Sequence, residues 1–242
     1  MSILRDLRLA PGGGSSAAPR RAGSIRGMDR REHWNDVYRS RPDSALSWHQ
    51  DEPAVSLAII DGLTPAPRVA IDVGGGQSTL AGALVERGLE RVVVIDVAAA
   101  ALERGRARLG EAAGAVEWIV GDVTGPEVEL PEVDLWHDRA VFHFLTGEAE
   151  RRRYLERAAA SVRRGGWLVV ATFGPDAPPQ CSGLPVRRYD AAALAEAFAP
   201  AFDLVSSRGE EHRTPWGRAQ PFVYAVLRRS DASRPASGPA LP

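Results

Sequence analysis

Four aspartates stand where apolar, β-branched runs of the chain come to an end. Asp72 lies within Val69-Ala70-Ile71-Asp72-Val73, Asp96 follows Arg91-Val92-Val93-Val94-Ile95, Asp122 follows Val116-Glu117-Trp118-Ile119-Val120 and Gly121, and Asp138 follows the run from Val133 to His137. Carboxylates at the carboxyl edge of an open α/β sheet line the crevice where such sheets bind ligands. A single aspartate there serves equally well as a cap or turn residue. Four in succession point to a ligand crevice.

Asp72 precedes the turn Gly74-Gly75-Gly76 by two residues, and Gln77 and Ser78 follow it. Glycines let the backbone bend sharply and bring a ligand up to the free N–H groups of the next helix. A carboxylate beside that turn suits the amino group of an amino-acid ligand, directly or through water, and opposes a phosphate. Asp96 comes 24 positions later (96 − 72), where a carboxylate accepts bonds from both hydroxyls of a ribose. The dinucleotide motif G-x-G-x-x-G calls for a third glycine, and counted from Gly74 that position holds Thr79, which weakens a pyrophosphate reading.

The elements that must hold these residues alternate along the chain. Short β-rich runs and amphipathic stretches succeed one another, the pattern of parallel strands joined by helical crossovers. Helices are predicted over 30–40, from Pro53 through Ile60, and over 77–87, 98–109, 148–162 and 190–198, the last capped by Asp190. Strands are predicted over 69–73, 91–95, 116–120, 133–137, 167–173, 202–207 and 220–228, with Gly165-Gly166 ending a helix and opening the fifth. The fold class is α/β. The folded domain is expected over 29–228, with a disordered extension over 1–28 and a disordered tail over 229–242, both rich in Gly, Ser, Ala, Pro and Arg. Met28, just before the first helix, is an alternative start to Met1.

Composition narrows the chemistry. In 242 residues, 30 basic side chains face 31 acidic ones, a net charge of −1, so no overall field draws a polyanion and nucleic acid is not the expected partner. All the basic residues are arginine, which removes Schiff-base chemistry, a P-loop lysine and a lysine base. No apolar run reaches the roughly 18 residues of a membrane span, so no membrane association is expected. One cysteine, Cys181, permits no internal disulfide and no CxxC metal site and agrees with a reducing, cytoplasmic setting. His137, His143, Cys181 and His212 have no metal-ligand spacing, so no metal is expected.

Taken together, Asp72-Val73-Gly74-Gly75-Gly76, the strand-end Asp96, Gly121-Asp122 and the turn Arg163-Arg164-Gly165-Gly166 resemble the class I S-adenosylmethionine-dependent methyltransferase family. Trp34, Tyr38, Ser47 and Trp48 add a similarity to small bacterial members, some of them protein-lysine methyltransferase-like. The resemblance implies a Rossmann-like, seven-stranded, mostly parallel sheet with helices on both faces and the last strand antiparallel. It implies S-adenosyl-L-methionine as cofactor, with Asp72, Gly74, Gly75, Gly76, Gln77 and Ser78 around the amino-acid part, Asp96 on the ribose, and Asp122 and Val123 at the adenine. It also implies residues near the transferred methyl in the segment after the fourth strand, where His143 is the candidate base or orienting group and Asp138 faces the sulfonium side of the donor. The acceptor is expected to be a small molecule or a protein side chain. Arg187, Arg188, Arg213 and Trp216 are candidates to meet it from loops over the strand ends. The competing readings are a nucleotide-dependent oxidoreductase and a catalytically silent donor-binding protein.

Overall fold

The computed structural model describes residues 29–230. The expected extension over 1–28, the alternative start at Met28 and the tail beyond Ser230 lie outside the described residues, whereas Arg229 ends the last strand.

Seven strands form one sheet, in the order β3-β2-β1-β4-β5-β9-β8. They are β1 (Val69–Val73), β2 (Arg91–Asp96), β3 (Val116–Val120), β4 (Val133–Arg139), β5 (Val162–Phe173), β8 (Phe202–Arg213) and β9 (Ala219–Arg229), while β6 (Gln180–Cys181) and β7 (Leu184–Pro185) make a separate small hairpin. The first five pair in parallel. The last, β9, inserts antiparallel between β5 and β8. Because β1 has β2 on one side and β4 on the other, the chain order reverses beside β1, and a crevice opens at the carboxyl ends of those strands.

Residue type explains the layering. Val92, Val93, Val94 and Ile95 of β2 are all buried, as a strand covered on both faces requires. On one face α2 (Ala54–Asp61) and α3 (Leu80–Glu86) pack Leu57, Ile60, Leu80 and Leu84 against Ala70, Leu135 and Val169. On the other, α5 (Glu148–Ser161) and α6 (Ala191–Phe198) pack Tyr154, Ala158, Leu194 and Phe198 against Ile71, Trp136 and Leu168. On the first face also lies α4 (Ala99–Leu109), with Leu102 in the same cluster, and its Ala100 and Ala101 meet Val37 and Tyr38 of the N-terminal α1 (Arg30–Ser40). Asp43, just after α1, accepts bonds from Arg104 and Arg108 of α4, and Arg108 also donates to the Gln77 carbonyl. These ion pairs staple the N-terminal segment to the glycine turn. Among the described residues no helix is long and apolar enough to cross a membrane.

Boundaries differ most from the sequence reading at three places. The helix expected over 77–87 begins only at Leu80, because the residues before it are spent on the turn, where Ser78 Oγ donates to Asp72 (2.8 Å). The helix before β5 ends at Ser161, and Gly165-Gly166 lie inside β5 rather than at its opening. Pairing jumps there from Val133↔Val162 to Leu135↔Trp167, so the extra residues bulge and Gly165 takes a φ of +68°. Finally, β8 continues past 207 to Arg213 because β9 pairs with it along its whole length.

Candidate active site

The end of β1 and the first glycine of the turn, Val73 and Gly74, form one wall of a cavity. Gly74 has a φ of +64°, and a Cβ there would lie 2.1 Å from Val141 Cγ2. The turn therefore fits against the loop after β4 only because it carries no side chain. Gly76 plays the same part toward β2, since its Cβ would stand 2.7 Å from Asp96 Oδ2 and 2.8 Å from the Ala101 methyl.

Asp96 is 7% exposed and lines the cavity. Its Oδ1 accepts from Ala98 N (2.8 Å). Burial raises its pKa to about 7, with the nearby Asp72 charge adding to the shift. Asp122 binds Thr124 N and Thr124 Oγ1 with one oxygen, both at 2.8 Å, and lines the cavity beside Gly121 and Val123.

Asp72 is placed differently. It lines a smaller neighbouring cavity together with Gly75, Gln77 and Ser78, and both of its oxygens are engaged, Oδ1 with His137 Nδ1 (2.8 Å) and Oδ2 with Ser78. His137 Nε2 meets Ser56 Oγ (2.9 Å). Gly75 closes over the Asp72 carboxylate, for a Cβ there would be 2.4 Å from Oδ2. Gln77 turns its oxygen toward Arg104.

The structure does not bring Asp138 or His143 into the cavity wall. Asp138 is wholly buried and faces α5. Its oxygens accept from Val141 N (2.8 Å), Phe142 N (3.0 Å) and the Tyr154 hydroxyl, which in turn accepts from Trp136 Nε1. Strand alternation is the reason: Trp136 and Asp138 point to one face of β4, and Leu135, His137 and Arg139 to the other. What Asp138 holds is the loop that does line the cavity, including Ala140, whose φ of 75° is costly for a residue with a side chain. His143 is also fully buried. Its Nδ1 accepts from Phe173 N (3.2 Å), and its ring packs edge-on against Phe144 and Phe173. Burial, with the Arg139 charge, pushes its pKa down to about 3, so the imidazole is neutral and lies behind the wall.

Of the N-terminal aromatics, Trp34, Tyr38 and Trp48 line the cavity, joined edge-to-face with each other and with Phe144. Ser47 does not, and its carbonyl accepts from His212 Nε2 (2.7 Å). Of the loop residues, Arg188 ties down the Pro175 and Ala177 carbonyls, Arg213 pairs with Glu211, Arg187 stands over Tyr189, and Trp216 is exposed. None lines the cavity. The side chain the sequence reading missed is Arg139, which lines both cavities; its alternation with Leu135 and His137 on β4 was the available signal.

The set fits a nucleoside-bearing cofactor: a carboxylate facing the space left by Gly76, an Asx turn at Asp122, and an apolar wall of Ile95, Val97 and Val123. Residues 70–166 match the family model of the methyltransferase domain. A comparison with curated proteins found none that matches. Solved structures with a similar fold include 1,6-didemethyltoxoflavin-N1-methyltransferase of Burkholderia thailandensis, with a TM-score of 0.66 and 23% identity over 83% of this chain and 87% of that chain. They also include the N-methyltransferase NodS of Bradyrhizobium japonicum WM9, at 0.61 and 16% over 84% and 100%, and the methyltransferase CcbJ of Streptomyces caelestis, at 0.59 and 17% over 81% and 96%. At these identities the likeness is one of fold. The matched segment carries the glycine turn, Asp96, Asp122 and the loop after β4, the parts that surround the cavity, and over these residues the chain is similar to the methyltransferase domain.

Proposed function

We propose that the chain transfers the methyl group of S-adenosylmethionine to a small molecule held between Arg139 and the aromatic wall. The observation that carries this reading is one continuous cavity with Asp96, Asp122 and Gly74 at one end and Trp48, Phe144, Phe173 and Phe222 at the other. In this arrangement Asp96 accepts from the ribose hydroxyls, Asp122 and Val123 adjoin the adenine, and Gly74 adjoins the methionine part. Asp72 keeps the turn in shape through Ser78 and His137. A small acceptor is favoured over a protein because α1 supplies Arg30 and Trp34, and the β6–β7 hairpin supplies Cys181, to the cavity wall. The Burkholderia thailandensis neighbour was solved with bound 1,6-didemethyltoxoflavin, a small molecule, and S-adenosylhomocysteine. Methyl transfer is an in-line displacement that needs alignment and exclusion of water more than proton transfer, and a cavity walled by aromatic rings supplies both.

Calorimetric titration of the full chain with S-adenosylmethionine, S-adenosylhomocysteine and a nicotinamide dinucleotide tests it. The first two bind and the third does not, and Asp96→Ala weakens binding by roughly 30- to 100-fold, as loss of charge-assisted hydrogen bonds implies. Binding of the dinucleotide alone would return the oxidoreductase reading, and donor binding with no methylated product from any small-molecule extract would leave a silent binding protein.

A further inference from the structure

The acceptor end of the cavity has a chemical bias of its own. Its lining is Trp48, Phe144, Phe173, Phe222, Cys181 and Arg139, with Arg30 of α1 bonded to the Phe144 carbonyl and paired with Glu150. Neither a carboxylate nor an imidazole stands among them, and burial raises the pKa of the Cys181 thiol, so no ready general base stands there to take a proton from an acceptor. The Arg139 guanidinium is held firmly. Nε donates to the Tyr224 hydroxyl (3.0 Å), one terminal nitrogen donates to the Trp48 carbonyl (3.1 Å), and the plane stands 4.6 Å over the Phe222 ring. The side chain is 10% exposed, and its other terminal nitrogen, NH2, has no hydrogen-bond partner among the described residues.

Other charged and titratable groups surround Arg139. Glu210 of β8 lies 3.7 Å from NH2, beyond hydrogen-bond reach, and does not line the cavity; its Oε1 takes Gln50. Burial lowers the pKa of both His143 and His212, the Arg139 charge adds to the shift in each, and Glu210 opposes it at His212. At Cys181 burial raises the thiol pKa while Arg139 works the opposite way. Of Arg139 and Glu210 only the arginine lines the cavity, so an anion is favoured over a cation where an acceptor would sit.

We propose that Arg139 makes this end of the cavity a receptor for a flat aromatic acceptor bearing an anionic oxygen, which is methylated as the anion. This rests on the donor reading above. In the step, a lone pair on the acceptor oxygen forms the new O–CH3 bond while the S–CH3 bond breaks and its electron pair stays on sulfur. Anion and sulfonium become neutral ester or ether and neutral thioether, and no proton moves. An ammonium acceptor would enter against Arg139 and would have to lose its proton where no base lines the wall.

The test is a ligand series on the full chain saturated with S-adenosylhomocysteine. Benzoate, benzyl alcohol and benzylamine share a ring and differ in charge. Benzoate is expected to bind roughly tenfold more tightly than benzyl alcohol, as one charge-assisted contact implies, with benzylamine weakest. In Arg139→Gln/Glu210→Gln, which removes both members of the buried pair so that neither charge is stranded, the preference for benzoate disappears. Tighter binding of benzylamine, or an undiminished benzoate preference in the double variant, would overturn the assignment. So would a variant that loses S-adenosylhomocysteine but keeps 5′-methylthioadenosine, because the arginine would then serve the donor's own carboxylate. If S-adenosylhomocysteine fails to bind the unaltered chain, the fault lies with the donor reading, and this inference falls with it. The unaltered chain decides the charge preference even if the variant does not fold.

Discussion

At the scale of single residues, burial separates groups that can meet a ligand from groups that only look suited to do so. His143 has the right residue type in the right segment, yet its Nδ1 is committed to Phe173 N and its ring to an aromatic stack. We expect His143→Asn, whose side-chain oxygen can replace Nδ1 as acceptor, to keep kcat within about threefold. It should cost roughly 1–3 kcal/mol of stability at neutral pH through lost packing. The pKa of about 3 sets the sign of the pH effect. A group whose pKa falls on folding contributes stability above its unfolded value of 6.5 and loses it as pH drops toward 3, so the variant is relatively less acid-labile. Steady-state kinetics and urea melts at several pH values measure both effects, and a hundredfold fall in kcat would restore a role for His143 in the chemistry.

Among the elements, the turn after β1 and the loop after β4 act as one unit. Gly74 admits Val141 by lacking a side chain, Asp138 fixes Val141 and Phe142 through their amides, and Ala140 between them carries a positive φ. Gly74→Ala should cost about 2–4 kcal/mol, part from the left-handed backbone and part from the collision with Val141, and should weaken S-adenosylhomocysteine binding. Adding Val141→Ala removes the collision but not the backbone cost, so it restores part of the stability and leaves about 1–2 kcal/mol missing. Denaturant unfolding of the two variants measures this. A second substitution that recovers nothing would mean the two segments are not packed as described.

For the whole molecule, folding and ligand binding are linked through buried carboxylates. Burial raises Asp96 to about 7 and Asp138 to about 6, from an ordinary value of 3.8. Groups whose pKa rises on folding contribute stability that is present below about 4 and lost as pH climbs toward 7. Hydroxyl donors prefer the ionised Asp96, so donor affinity runs the other way, strengthening by up to about tenfold per pH unit below 7. The unliganded chain should therefore lose stability between about pH 4 and 7 on this account, while the gain in Tm from a fixed excess of S-adenosylhomocysteine widens. At a hundredfold excess over Kd that gain corresponds to about 2.7 kcal/mol. Thermal melts with and without the ligand across that range check it. A ligand-induced shift that shrinks with pH would count against Asp96 as the ribose acceptor.

What the chain determined by itself is local and periodic. The glycine turn demands its conformation whatever surrounds it, the valine run of β2 permits only a strand buried on both faces, Asp190 caps its helix through Ala193 N, and the order of strands and helices dictates parallel crossovers. Asp96 and Asp122 could be singled out because a residue at a strand end needs no distant partner to reach the crevice. Tertiary structure decided which side chains share a space. Asp138 and His137 are adjacent in sequence, yet strand alternation sends one under α5 and the other to Asp72 and Ser56. Arg139 comes to line the cavity beside aromatic rings only because β5 and β9 bring Tyr224 and Phe222 alongside β4, and because the Trp48 carbonyl folds over from the N-terminal segment. Pairing across strands far apart in the chain has no local periodicity to announce it, and so these contacts become visible only once the sheet is assembled.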